Sequence, residues 1–354
     1  MAKPHSIDLL PQDQRQALLT QWAQRVLRRY RLDHAQPVVL QDSSSLMFRI
    51  PPPARERDCR RCGASAADAA GFVLRVHEAT QHDTQAIDEE LQWLTAIRRD
   101  TALVVPTPVP ARDGSLIQNV ALPGETLERC CVLFRWVDGE LRNDPLQPAD
   151  LQRLGAFMAR LHEHANGFVT TATSRPTRRA FGDFQVWRNP SGGVAAHFGV
   201  EELTAFAAVA ERAHCAIMAL GEGADVFGFI HADLHPWNIL FRGDQVRAID
   251  FDDCGWGHYG YDIAVTLSYF EDWPTFPSLR DAFVRGYQTV RPLPTHALEH
   301  LDVLIATRML VMIAWILDVP RASDIPWGPR YLKHAVTRIR RLVASFDGNS
   351  NHPT

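Results

Sequence analysis

Residues 231–238 of the chain read HADLHPWN, and after three apolar residues and a short turn the sequence AIDFD follows at 248–252. The apolar run at 226–230 predicts a short buried strand that leads into this stretch. The apolar segments after it, separated by Gly243 and Asp244, predict a hairpin. The polar residues therefore lie on a loop between strands, where a rigid scaffold commonly carries catalytic groups.

The loop has the spacing H-x-D-x-x-x-x-N followed by D-F-D, which is typical of phosphoryl-transfer enzymes. That reaction needs a carboxylate that takes the proton of the acceptor hydroxyl, and Asp233, two residues after His231, is the candidate base. It also needs hard oxygen ligands for Mg²⁺, which Asn238, Asp250 and Asp252 can offer. The pattern therefore predicts Asp233 and His231 as catalytic residues and the other three as metal ligands.

Two other interpretations of the loop stay open at this point. His231, Asp233 and His235 are all metal-ligand types, so the triplet could hold zinc or iron in a metal-dependent hydrolase. The loop could also be structural, with its side chains capping nearby backbone groups. Neither alternative requires an asparagine at position 238 or an acidic pair after the hairpin, and both features favour phosphoryl transfer.

At these residues the chain resembles the group of aminoglycoside phosphotransferases and choline kinase-like enzymes, which includes type II homoserine kinase and a stress-response kinase. The main resemblance lies in IHADLHPWNILF at 230–241 and AIDFDDCGWGHYGYDIA at 248–264. Weaker matches follow one another in the expected order upstream: FVLRVHE at 72–78, EELQWL at 89–94, CVLFRWVDGE at 131–140 and LGAFMARLHEHA at 154–165. Trp237 departs from the group, which usually has a small residue at this position.

The resemblance implies an α+β, two-lobe protein-kinase-like fold that uses ATP, with GTP left open, and Mg²⁺. We expect a nucleotide-binding lobe at 1–137, with an antiparallel sheet, a helix across it and a loop insertion at 51–71. A mainly helical lobe at 138–346 would carry the catalytic loop and the acceptor site. Residues 347–354 are expected to form a flexible tail.

The same resemblance implies phosphate contacts at two places. Ser43, Ser44 and Ser45 occupy the turn of the first hairpin, where backbone and hydroxyl donors can meet phosphate. Arg75 stands where relatives carry a lysine for the phosphates. Glu90 is its expected partner, with Glu89 as the second choice.

The adenine is expected at the hinge after the last strand of the first lobe, which falls on Phe134 and Trp136. The lysine that relatives carry is missing, and Trp237 adds bulk beside the candidate base. These two departures leave open a nucleotide-binding protein without transfer activity.

Composition restricts the class of partner. The 354 residues carry a net charge of -4, so no basic excess points to nucleic acid. Residues 1–10 form no apolar signal segment, and the most apolar run, 303–317, is short for a bilayer and contains Arg308. We therefore expect a cytoplasmic protein without a membrane contact. The sequence leaves the oligomeric state undetermined.

The six cysteines are scattered, which indicates reduced thiols in an intracellular chain. Cys59 and Cys62 form one C-x-x-C, but a structural zinc needs four ligands and no second ligand pair follows. We therefore read this segment as a loop without a metal.

For the acceptor, we predict a small hydroxyl compound, with an amine as an option. The segment after Asp252 is too short for peptide docking, and the carboxylates of Glu271 and Asp272 stand beside aromatic residues that suit a cation. Those aromatic residues are Tyr269, Phe270 and Trp273. An ordinary helix end is the alternative interpretation of this cluster. A protein acceptor, as in the stress-response kinases, is the rival function.

Overall fold

The computed structural model of the protein divides into two compact units. Unit 1 extends to Glu140 and also includes Arg247–Ile249, and unit 2 contains most of the chain from Leu141 on. Within unit 1 the Asp138 carbonyl accepts a 2.7 Å hydrogen bond from Arg247. The structure describes the following residues: 11–42, 46–52, 70–77, 84–124, 128–142, 145–168, 187–188, 194–294, 296–318 and 325–348.

Unit 1 is built on an antiparallel sheet in the order β1-β2-β3-β6-β4, with β5 also paired to β6. Arg75 on β3 lies opposite Met47 on β2 and Val132 on β6. The strands are β1 (Val38–Asp42), β2 (Leu46–Ile50), β3 (Phe72–Val76), β4 (Thr107–Pro108), β5 (Ile117–Ala121) and β6 (Glu128–Arg135).

The two faces of this sheet have different roles because side chains alternate along each strand. Phe48, Leu74 and Leu133 are buried on one face and pack with apolar residues of α1 (Gln12–Leu27), such as Trp22. The first helix thus covers one face of the sheet. The opposite face carries Arg75, and α2 (Thr84–Asp100) supplies the carboxylate that meets it.

Unit 2 is mainly helical, as the sequence predicted. β10 pairs antiparallel with β7, and β8 with β9 forms a hairpin turned at Gly243, whose φ is +59°. The helices are α3 (Pro148–Gly167), α4 (Val200–Leu220), α5 (Tyr259–Leu267), α6 (Phe276–Gln288), α7 (Leu301–Asp318) and α8 (Gly328–Gly348). The strands after α4 are β7 (Phe227–Ile230), β8 (Ile239–Arg242), β9 (Gln245–Ala248), whose last two residues belong to unit 1, and β10 (Gly255–His258).

Residues 255–260, in the segment after Asp252, form strand β10 and the start of α5. Two predicted segments lie partly outside the described residues. Helix α8 includes residues 347 and 348, so the predicted tail would begin two residues later, and 349–354 lie outside the described ranges. The insertion at 51–71, with Cys59 and Cys62, falls outside them except at its two ends.

Among the described helices, α4 alone has the length and apolar composition to cross a membrane. Ala205, Phe206 and Val209 lie on its buried side, and the helix packs on α7 and α8 within unit 2. A helix in the core of a protein can have the same length and apolar composition as one that crosses a membrane.

Helices α3 and α6 touch through their backbones at two glycines. A Cβ atom added to Gly286 would lie 1.8 Å from the carbonyl oxygen of Gln152, and one on Gly155 would lie 2.1 Å from that of Phe283. No side chain fits between a glycine and a carbonyl at these distances, so the two helices can approach this closely only with glycine at both positions.

We predict that Gly286→Ala lowers the free energy of unfolding by about 1–3 kcal/mol or more, because overpacking a rigid contact usually costs this much. Urea unfolding of the variant and the parent gives the difference in the free energy of unfolding. Gly167→Ala is the matched control at the end of α3, because nothing lies within 4 Å of its added Cβ. An equal stability of Gly286→Ala and the parent would contradict the close helix contact.

Candidate active site

The loop at 231–238 connects β7 to β8, and its backbone is held in an uncommon conformation. Ala232 has a φ of +66°, in the left-handed region that residues with a Cβ seldom adopt. Its N–H donates to Asp262 Oδ1 at 2.8 Å, and the His231 N–H donates to Asp262 Oδ2 at 3.2 Å. The Asp262 carboxylate on the helix that follows β10 thus holds two consecutive backbone N–H groups of the loop.

Asp262, on α5, is fully buried and belongs to a chain of hydrogen bonds. His162 Nε2 lies 3.0 Å from Asp262 Oδ2, and His162 Nδ1 lies 2.8 Å from the hydroxyl of Tyr287. The carboxylate accepts from Nε2–H, so Nδ1 accepts from the tyrosine. Three helices, α3, α5 and α6, thus hold one turn of the loop.

Burial and the neighbouring groups set the charges of His162 and Asp262 in this chain of hydrogen bonds. Burial lowers the pKa of His162 below its ordinary value, although Asp262 acts in the opposite direction. Burial alone would raise the pKa of Asp262, but His162, His231 and the Ala232 N–H together lower it. A neutral histidine therefore donates to an ionised carboxylate beneath the loop.

Asp233 itself is held from several sides. Arg308 Nη2 on α7 donates to its Oδ1, and His235 Nε2 lies 3.3 Å from its Oδ2. Asn238 Nδ2 donates to the Asp233 carbonyl at 2.9 Å and approaches Oδ2 at 3.2 Å. Burial alone would raise the pKa of Asp233, but Arg308, His235 and His231 lower it to about 2. The group is thus an ionised carboxylate at neutral pH.

Arg308 is the site residue that sequence reasoning missed, since it was counted only as a charge within an apolar run. The residue is 6% exposed, and the charge of Asp233 raises the pKa of its guanidinium against the effect of burial. The available signal was the charge itself, because a buried arginine almost always has a charged partner.

His231 lies beneath the loop and is fully buried. Its Nδ1 accepts a 3.3 Å hydrogen bond from the Asp233 N–H, and its ring lies 4.4 Å from that of Phe251. These contacts support the backbone of the loop from below, and the catalytic role of His231 stays a prediction.

The zinc or iron triad has little support in this geometry. Within the described ranges, one group brings three ligand atoms within 4.8 Å of one another, and it consists of Glu271, Asp272 and His334. The triplet of His231, Asp233 and His235 does not do so. Asp233 has an arginine on Oδ1, and this positive charge repels a metal cation.

The predicted Mg²⁺ ligands fit the ion in their chemistry. Asn238 commits its Nδ2 to Asp233, which leaves the amide oxygen for a cation. Asn238 immediately precedes β8 and Asp250 closely follows β9, so the short hairpin places both at the same end. Asp250 has a φ of +61°, a second left-handed residue, and Asp252 is half-buried in the turn before β10.

Unit 1 contains the predicted ion pair. Arg75 Nη2 lies 2.5 Å from Glu90 Oε2, and both side chains are 5% exposed or less. The Arg75 guanidinium also lies 4.9 Å from the ring centre of Phe134. Glu89, the second choice, is buried as well.

The predicted hinge residues are engaged within unit 1. The Trp136 N–H donates to the Gly71 carbonyl at 2.9 Å, and the Arg49 guanidinium covers its ring at 3.9 Å. A contact of adenine with the Trp136 backbone would thus have to use its carbonyl. Phe134 is buried beneath Arg75, so its side chain belongs to the sheet face.

The turn of the first hairpin was predicted to meet phosphate through three serines. Ser43, Ser44 and Ser45 all lie outside the described residues, which end at Asp42 on β1 and resume at Leu46 on β2. The two strands pair antiparallel, as expected for a hairpin. The phosphate contact of Ser43, Ser44 and Ser45 therefore stays a prediction.

Three aromatic rings form a surface beside the catalytic loop, which we call the aromatic cluster: His235, Trp237 and Tyr269. Their ring centres lie 5.1 to 5.8 Å apart. Trp237 is 63% exposed, so its ring is open to a ligand. Tyr269 is the member that the sequence had already grouped with an acceptor cation.

The neighbouring carboxylates differ from one another. The Glu271 side chain is 4% exposed and pairs with Arg338 Nε at 3.1 Å, whereas Asp272 is exposed and lies 3.3 Å from His334 Nε2. Burial raises the pKa of Glu271 in spite of Arg338. Glu271 Oε1 makes no hydrogen bond to the described part of the chain, although His334 lies 3.7 Å away.

The sequence is similar to those of known proteins over most of its length. The model of the phosphotransferase enzyme family matches residues 60–298. A homoserine kinase of Azorhizobium caulinodans is 32% identical over 296 residues, which cover 78% of this chain and 84% of that protein. A homoserine kinase of Acidiphilium cryptum is 30% identical over 259 residues, with coverages of 68% and 75%.

Solved structures give the same result for the fold. A microcompartment-associated aminopropanol kinase superposes with a TM-score of 0.73 at 29% identity, covering 92% of this chain and 98% of that one. An amicoumacin kinase in complex with AMP-PNP and Ca²⁺ superposes with a TM-score of 0.71 at 16% identity, with coverages of 90% and 93%. The expected kinase-like α+β fold is confirmed.

We predict that the free energy of unfolding falls less steeply in His162→Gln than in the parent as the pH is lowered. The folded state holds His162 neutral with a lowered pKa, whereas in the unfolded chain the group titrates near about 6.5. Below that pH the unfolded state binds the extra proton, so the free energy of unfolding falls as the pH falls. Glutamine removes this contribution, and urea unfolding between about pH 5 and pH 8 measures it.

His34→Gln serves as the control, because His34 is exposed in unit 1. Its pH dependence should follow that of the parent. The free energy of unfolding of His162→Gln could instead depend on pH as steeply as that of the parent between about pH 5 and the unfolded-state pKa of about 6.5. That result would contradict a neutral His162 in the folded protein.

Proposed function

The chain belongs to the phosphotransferase enzyme family, and on this premise we propose that it transfers the terminal phosphate of ATP to a hydroxyl of a small, amine-bearing acceptor. The observation that carries the proposal is the ionised Asp233 on the loop, with Asn238 held against it. A carboxylate with a pKa of about 2 is charged at neutral pH and ready to accept a hydrogen bond from a hydroxyl.

In the proposed step, the acceptor oxygen attacks the terminal phosphorus as its O–H proton passes to Asp233. The bond between this phosphorus and the bridging oxygen breaks, and ADP leaves with the electron pair. The transition state of such transfers is loose, so positioning and electrostatics supply most of the acceleration. The Asp262 contacts to the loop backbone serve this positioning.

The proposed contacts with the nucleotide and its metal are assigned by the chemistry of the residues. Arg75, held by Glu90, is the proposed cation for the phosphates, and a guanidinium can bind two phosphate oxygens at once. The oxygens of Asn238 and Asp250, with Asp252 as a further ligand, are proposed to hold Mg²⁺. When bound, Mg²⁺ would neutralise charge on the phosphates.

Two observations support a small acceptor over a protein. Strand β10 and α5 follow Asp252 directly, which leaves no long segment there for peptide docking. The aromatic cluster, in which Trp237 is exposed and His235 lies 3.3 Å from Asp233, offers ring faces that attract an ammonium group. The homoserine and aminopropanol named for the relatives both combine a hydroxyl with an amine.

An ADP-release assay tests the proposal directly. The purified chain is incubated with Mg·ATP and, in turn, homoserine, aminopropanol, choline-like alcohols, aminoglycosides and neutral sugars. We expect turnover with amine-bearing alcohols and little with neutral sugars. Phosphorylation of protein serine or threonine alone, seen by phosphoproteomic comparison of treated cell extract, would overturn the small-acceptor proposal.

We predict that Asp233→Asn lowers kcat by about 10²–10⁴-fold, the usual contribution of a general base, while Mg·ATP affinity stays near that of the parent. Asp250→Ala is the contrasting variant, because loss of a metal ligand should weaken Mg·ATP binding itself. Calorimetry gives both affinities and the ADP assay gives both rates. If Asp233→Asn turned over at the parent rate, another residue would be the base.

We predict that Trp237→Ala lowers kcat/KM for an amine-bearing acceptor by about twofold to thirtyfold, which corresponds to a cation–π contact of about 0.5–2 kcal/mol. The KM for ATP should be unchanged. Trp327→Ala is the control, because Trp327 is also partly exposed but stacks on Trp315. An equal effect on neutral acceptors would show that Trp237 contributes only bulk.

A further inference from the structure

Arg308 is a buried charge on the apolar helix α7, where Leu304, Ile305 and Leu310 are also buried. A guanidinium in such a place costs several kcal/mol unless a charged group compensates it. The compensating group is Asp233, whose Oδ1 accepts from Arg308 Nη2. The catalytic loop and α7 are thus joined by an ion pair within unit 2.

The two oxygens of Asp233 have different surroundings. Oδ1 is taken by Arg308, whereas Oδ2 lies 3.3 Å from His235 Nε2 and 3.2 Å from Asn238 Nδ2. The Trp237 N–H donates to His235 Nδ1 at 3.2 Å, so in the neutral ring the proton is on Nε2 and is directed to Oδ2. The carboxylate is therefore fixed at one oxygen by a charge and touched at the other by weaker, longer contacts.

We propose that Arg308 is a positioning residue, which holds Oδ1 of Asp233 so that Oδ2 is the oxygen that meets the acceptor hydroxyl. The proposal rests on the proposed phosphotransfer at Asp233. An ion pair to a charged donor is the stronger of the two sets of contacts, and it keeps Oδ1 in place. The long contacts at Oδ2 can yield to a hydroxyl at small cost.

The residues around Arg308 connect this pair to the aromatic cluster. Tyr261 and Tyr269 are close enough for its charge to act on their pKa, and burial still raises that of Tyr261 to about 12. Tyr269 also lies beside His235 and Trp237. The side chains that surround the guanidinium therefore include one that borders the proposed acceptor surface.

A purely structural ion pair would give different results from a positioning one. If Arg308 only compensated a buried charge, its loss would lower stability and leave the turnover of the remaining folded protein unchanged. If it orients Asp233, its loss changes kcat, because misplacement of a catalytic group by about 1 Å can cost about 10²-fold in rate.

The test compares Arg308→Met and Arg308→Lys with the parent, with rates corrected for the folded fraction. We expect Arg308→Met to lower kcat by about 10²-fold with little change in the KM for ATP, and Arg308→Lys to recover about tenfold of that loss. Added guanidinium at low millimolar concentration should raise kcat of a second variant, Arg308→Ala, and leave the parent unchanged.

Arg291→Met is the matched control in unit 2. Arg291 is also buried, but it donates to the Asp225 carbonyl at 3.3 Å and covers Tyr259 at 4.6 Å, away from Asp233. It should lower stability and leave kcat within about twofold of the parent, as expected for a substitution outside the site. If Arg308→Met also kept the parent kcat, or if Arg308→Lys were no better than Arg308→Met, the proposal would be overturned.

A crystal structure of the Arg308→Met variant separates this inference from the proposed function. A turned or multiply oriented Asp233 carboxylate supports positioning, and an unchanged carboxylate overturns it, whatever the turnover. If Arg308→Met does not fold, Arg308→Gln replaces it, because glutamine keeps hydrogen-bond donors without the charge. Absence of transfer by the parent with every acceptor would refute the proposed function, and the orientation of Asp233 would still decide the role of Arg308.

Discussion

The arrangement of the catalytic loop depends on the buried carboxylate of Asp262. Its two oxygens accept the N–H groups of His231 and Ala232 and so hold Ala232 in a left-handed conformation that a side chain disfavours. The residue that follows is Asp233. One fully buried acceptor thus determines where the next side chain starts, and the orientation of the proposed base follows from this contact.

The support of Asp262 extends into the helix packing. His162 on α3 donates to it, and Tyr287 on α6 completes the chain of hydrogen bonds. Gly155 and Gly286 let these two helices approach until backbone meets backbone. Gly155 and Gly286 therefore influence the loop at 231–238 through three side chains, those of Tyr287, His162 and Asp262. A change in the spacing of α3 and α6 would move these side chains and, with them, the loop.

Buried charges in each unit are balanced by a charge of opposite sign within the same unit. Asp233 faces Arg308, Glu90 faces Arg75, and Glu271 faces Arg338, each pair being largely buried. A carboxylate in such a pair stays ionised more readily than burial alone would allow, as the lowered pKa of Asp233 shows. The charge of Arg338 offsets the burial of Glu271 only in part, so burial still raises the pKa of Glu271.

The sequence by itself determined the features that depend on local pattern. Alternation and helical spacing located β3 and α2, and hence the pair of Arg75 and Glu90, because each residue follows from its own element. The spacing of the loop predicted Asp233, Asn238 and Asp250 as site residues in the same way, and their roles stay proposals. The likeness of the motif to a known group added the fold, which no single pattern contained.

Only the tertiary structure decided the contacts between residues far apart in the chain. Arg308 follows Asp233 by 75 positions, and nothing near either residue shows that they meet. The hydrogen bond from the Trp136 N–H to the Gly71 carbonyl and the ion pair of Glu271 with Arg338 are also contacts between distant parts of the chain. Such partners are chosen by the packing of whole helices and strands, and the burial of a charge indicates that a partner exists without indicating which one.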